Sequence, residues 1–145
     1  ASSTTPRSSA RVPHATPNLR SIRTLYLSPE RKREEFRALV DVARSLGIER
    51  CEVTFGNAWG NDYYSESTWA PVSLALDDLD GEIERASSLG WGDFAENDLW
   101  IAFPPHAEQF LFCHECDIHA ETSREGPLFG LTIERWQSSN ILRDD

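Results

Sequence analysis

Between Ser28 and Phe55 the spacing of apolar residues changes from helical to alternating across one glycine, and this switch limits the folds open to the chain. Ser28 is suited to cap a helix, Pro29 to its first turn, and Glu30 to the positive end of its dipole. Phe36, Leu39, Val40, Ala43 and Leu46 then recur at helical spacing, and Gly47 closes the run. The pattern predicts an amphipathic helix over 29–46, with Arg31, Lys32, Arg33, Arg37 and Arg44 kept in solvent. In Arg50–Phe55, Cys51, Val53 and Phe55 alternate with Glu52 and Thr54, as in a half-buried strand. A helix running into a strand of this kind excludes all-helical and all-β folds.

The rest of the chain fills out an α+β domain. Ile22, Leu25 and Leu27 suggest a short strand before the helix, and 71–76 a second after Phe55. Asp77 or Asp78 can cap a second helix that buries Leu79, Ile83, Ala86 and Leu89 and ends at Gly90. Three strand-like runs follow. The first has Leu99, Ile101 and Phe103 opposite Trp100 and Ala102, the second spans Phe110–Ala120, and the third has Phe129, Leu131 and Ile133 alternating with Gly130, Thr132 and Glu134. The expectation is a mostly antiparallel sheet of four to six strands with two helices on one face. Residues 1–20, with three prolines, many Ser/Thr, three Arg and no acid, read as a flexible basic arm before a single domain over 21–145.

Charge is divided between the two parts of the chain. Residues 1–50 carry ten basic and five acidic side chains, +5. Residues 51–145 carry four basic and nineteen acidic, −15, which together give the −10 of the whole chain. Such a body repels nucleic acid and anionic membranes and attracts cationic partners. No stretch of about 18 apolar residues is present to span a bilayer. Cys51, Cys113 and Cys116 are an odd number, which reads as reduced thiols of a cytoplasmic protein rather than a disulfide framework.

The chemistry-bearing residues concentrate in 110–121, FLFCHECDIHAE. Taken as one strand, this segment sends Phe110, Phe112, His114, Cys116, Ile118 and Ala120 to the core, where His114 would sit as a satisfied buried histidine. Cys113, Glu115, Asp117, His119 and Glu121 fall on the opposite face. Three readings compete for that face. His106, Cys113, Cys116 and His119 have zinc-ligand character, but a strand points residues 113 and 116 to opposite sides, so no bound metal and no other cofactor is expected. Cys113, Glu115 and His119 offer a nucleophile and acid–base groups, without any motif that assembles them. The carboxylate stripe Glu115, Asp117, Glu121 with His119 suits a basic protein partner.

A second cluster, FGNAWGNDYYSESTW over 55–69, places Trp59, Tyr63 and Tyr64 beside Asp62 among small polar residues, the composition of binding hot spots. The leading expectation is a small acidic protein-binding module, inhibitor or immunity-like, that neutralises a basic partner. The alternative is a small enzyme or metal-binding domain centred on Cys113–His119.

Overall fold

The computed structural model describes residues 19–55, 71–89 and 98–143. Helix α1 (Pro29–Ser45) begins as its sequence predicts, with the Ser28 hydroxyl accepting from the Arg31 N–H at 3.1 Å. Gly47, at φ 79°, takes the left-handed position past its end, which is open to glycine at no steric cost. One departure matters later. Lys32 is not solvated but only 1 % exposed, because it shares the inward stripe of Phe36, Leu39 and Ala43.

Among the described residues, six strands form one antiparallel sheet: β1 (Arg20–Arg23), β2 (Arg50–Phe55), β3 (Val72–Ala75), β4 (Leu99–Ala102), β5 (Gln109–Phe112) and β6 (Ile118–Thr122). Their spatial order is β1-β6-β5-β4-β2-β3. The strand expected around Ile22–Leu27 is thus centred earlier, and begins at Arg20, the last residue assigned to the arm; the remainder of the arm lies outside the described residues apart from Leu19. Helix α2 (Leu79–Ser88) follows a short 3-10 turn, Leu76–Asp78, and buries Leu79, Ile83 and Ala86, whereas Leu89 is exposed.

The alternation read over 129–133 does not make a strand. Residues Pro127–Ser138 form a third helix, α3. Its buried residues, Leu128, Phe129, Thr132 and Trp136, have helical spacing, and Leu131, which a strand would have buried, is exposed. Pro127 at the first turn and Trp136 at the far end were the signals that alternation over five residues obscured.

The helices bury their apolar faces in the cluster that contains Cys51, Val53, Phe55, Leu99, Ile101, Phe110, Phe112, Ile118 and Ala120 from the sheet. Two carboxylates fix α3 there. Buried Glu35 of α1 accepts from the Arg135 guanidinium at 2.8 and 3.0 Å and from Arg31 at 3.1 Å, and it holds the Arg135 guanidinium above its ordinary range. Buried Glu108 accepts from the Phe129 N–H at 3.1 Å, meeting an orphan donor of the α3 N-terminus from outside the helix. Gly126 leaves room for it, since a Cβ there would stand 2.8 Å from Glu108 Oε2. Glu108→Ala is therefore expected to lower stability by about 1–2 kcal/mol, the worth of a helix cap, in equilibrium urea unfolding. An unchanged midpoint would show that the α3 N-terminus is held by other means.

Candidate functional site

The segment read as the longest strand is a hairpin. Strands β5 and β6 pair antiparallel through Phe112 and Ile118, and the Cys113 N–H donates to the Asp117 carbonyl at 2.9 Å. The Cys116 N–H donates back to the Cys113 carbonyl at 3.1 Å, so His114, Glu115 and Cys116 form the loop. Cys116 lies at φ 71°, the left-handed position that ends such three-residue hairpin loops. Glycine or asparagine ordinarily marks this site, and a cysteine gives no such cue. The faces change accordingly. Phe110, Phe112, Ile118 and Ala120 do enter the core, but the His114 side chain stands 51 % exposed at the tip. It is not a core histidine. Its ring Nδ1 lies 2.8 Å from Asp98 Oδ1, and the same oxygen accepts the His114 N–H at 2.7 Å. That partner raises the His114 ring's proton affinity.

Lys32 tethers the turn from beneath, donating from Nζ to the Cys113 carbonyl at 2.8 Å, while the Leu27 N–H donates to the Cys116 carbonyl at 2.7 Å. Burial pushes the Lys32 ammonium below its ordinary pKa, opposed by the negative potential of Cys116, Cys113, Asp98 and Asp117. Asp117 is 3 % exposed. Its Oδ2 lies 3.1 Å from His119 Nε2, and its Oδ1 has no hydrogen-bond partner. The expected carboxylate stripe is therefore broken. Glu115 is exposed at the tip, Asp117 is buried, and half-buried Glu121 accepts from Gln109 Nε2 at 3.2 Å.

The cluster brings together some predicted site residues and separates others. Cys113, Asp117 and His119 present ligand-type atoms within 4.8 Å of one another, as do Asp98, Cys113 and His114. Neither His106 nor Cys116 joins either group. The nucleophile reading has two sides. His119, its base, lies within 4.8 Å of Cys113 Sγ and faces Asp117 through Nε2 at 3.1 Å, whereas His114 Nδ1, 3.9 Å from the sulfur, already faces Asp98. Against it, burial pushes the Cys113 thiol up to about 11, the reverse of activation.

The other face of the sheet carries a second candidate site. Register places Arg23, His119, Leu111, Trp100 and Thr54 in one row across five strands. A neighbouring row runs Ser21, Glu121, Gln109, Ala102, Glu52 and Ser73. Trp100, half-buried, lies between Leu111 and Thr54 near the centre. Its outward position was legible in the alternation of β4, although the sequence reading singled out Trp59, Asp62, Tyr63 and Tyr64, which lie outside the described residues. No family model, curated protein or solved structure matches this chain.

Thiol reactivity separates a catalytic from a non-catalytic Cys113. In the native protein near pH 8, iodoacetamide is expected to modify half-buried Cys116 well before Cys113 and Cys51, whose thiols burial holds at about 11. Peptide mass spectrometry reads the order. Preferential labelling of Cys113 would restore the nucleophile reading.

Proposed function

We propose that the chain is a small acidic binding module that engages a basic protein partner on the face of its sheet that carries Trp100 and His119, in the manner of inhibitor and immunity proteins. The observation that supports this most directly is the cross-strand row Thr54–Trp100–Leu111–His119, an apolar centre with Glu52 and Glu121 in the adjoining row. Among the described residues, all three helices bury their apolar faces in the single core cluster on the sheet's opposite side. A large aromatic side chain ringed by polar groups is the usual anatomy of a binding hot spot. The partner's sign follows from charge: residues 51–145 carry −15, which favours encounter with a cationic protein and opposes nucleic acid. No helix among the described residues is long and apolar enough to cross a membrane. The enzyme reading is weaker because burial raises the Cys113 thiol instead of lowering it.

The reading is tested by immobilising the full chain and capturing partners from a lysate of its source organism. A basic protein should be retained at low salt and released as ionic strength rises, because exposed charges are screened over about 8–10 Å near physiological salt. Trp100→Ala should cost about 2 kcal/mol of binding, roughly a thirtyfold rise in Kd, and Glu52→Lys with Glu121→Lys should slow association. Retention of an acidic protein, of nothing, or of the same partner with equal affinity by all variants would overturn it.

A further inference from the structure

Asp117 poses a physical problem that the binding reading does not solve. A carboxylate with 97 % of its surface removed from water keeps one oxygen, Oδ1, without a hydrogen-bond partner. Leaving a buried charged acceptor unmet is costly, and such an atom calls for an explanation, of which a bound ion is one. Beside this carboxylate lie groups with the chemistry of metal ligands. Cys113 Sγ, an Asp117 carboxylate oxygen and a His119 ring nitrogen lie mutually within 4.8 Å. Tetrahedral zinc holds such donors at about 2.0–2.3 Å from the ion, so modest side-chain closure would bring all three to bonding distance.

The hairpin explains why these three converge. Cys113 and Asp117 face each other across the mouth of the turn, joined by the backbone bond of 2.9 Å, and His119 is two residues further along β6 on the same side. The Glu115 N–H reaches Cys113 Sγ at 3.4 Å, a donor that would stabilise a thiolate. The other grouping, Asp98 with Cys113 and His114, is the poorer site, because Asp98 Oδ1 already accepts from both the backbone and the ring side of His114.

From this geometry we propose that Cys113, Asp117 and His119 form a binding site for one zinc ion, independent of the partner-binding role of the sheet face. The reaction balances without a redox step. The Cys113 S–H bond breaks, its proton leaves to solvent, and sulfur, Asp117 Oδ1 and a His119 ring nitrogen each donate a lone pair to the cation. One thiolate and one carboxylate neutralise the dication, and the nearby Lys32 ammonium is opposed by Asp98. Three protein ligands leave the fourth tetrahedral position to water. The site borders the row that carries Leu111 and Trp100, since His119 belongs to both.

Cobalt(II), a spectroscopic substitute for zinc, supplies the test. Titrating the reduced full-length chain should give a thiolate-to-cobalt charge-transfer band and tetrahedral d–d bands that saturate near about one equivalent and are bleached by zinc. Cys113→Ser should abolish the charge-transfer band, and Asp117→Asn and His119→Gln should each weaken cobalt binding by about tenfold or more. Cys116→Ser and His114→Gln should leave the spectrum unchanged. The half-buried His119 and the exposed His114 give a comparison that survives even if Cys113→Ser fails to fold. Absence of the charge-transfer band in the unmodified chain overturns the proposal. So does a band lost with Cys116→Ser or His114→Gln, or one indifferent to His119→Gln.

Discussion

The arrangement of this molecule turns on one contact, the buried Lys32 ammonium donating to the Cys113 carbonyl at 2.8 Å. Removing an ammonium from water is expensive, and the cost is bearable only where fixed negative groups and acceptors replace the solvent. Here the Cys113 carbonyl accepts from it, and the Asp98 and Asp117 carboxylates lend it negative potential. The contact joins α1 to the β5–β6 turn across 81 positions of sequence. It anchors the turn that carries Cys113, beside which Asp117 and His119 lie. Carboxylate clamps at Glu35 and Glu108 hold α3 in addition.

Much of the architecture was legible from side-chain periodicity. The capped start of α1, the core-facing alternation of Cys51, Val53 and Phe55, and the buried stripe of α2 all follow from apolar spacing, which reports burial directly. The α+β class and antiparallel sheet follow from those elements and the short links between them. What failed did so for local reasons. Lys32 was assigned to solvent by its charge, although positions 32, 36, 39 and 43 form one helical stripe. The sheet's longest apparent strand hid a turn because its left-handed residue is cysteine. Helix α3 was masked by a chance alternation of Phe129, Leu131 and Ile133.

The candidate site suffered from the same error about the turn. Reading 110–120 as continuous strand argued against a metal, because it sent Cys113 and Cys116 to opposite faces. The turn removes that objection, yet it does not assemble the ligand set first considered. Asp117 replaces Cys116 and His106, a substitution that depends on tertiary burial and that no spacing rule encodes. The cross-strand row of Trp100, Leu111 and His119 depends likewise on strand order, which sequence adjacency alone does not supply. The partner-binding face and the polar hairpin thus meet at His119, each built from residues that lie on different strands.

If the buried Lys32 ammonium organises the hairpin, equilibrium unfolding of the Lys32→Met protein will show it. Methionine fills similar space but leaves the Cys113 carbonyl without its lysine donor and Asp117 without a nearby cation. A loss of about 2 kcal/mol or more in urea is expected, against a change within about 0.5 kcal/mol for Arg37→Met at an exposed position of the same helix. Equal or greater stability of the Lys32→Met protein would contradict it.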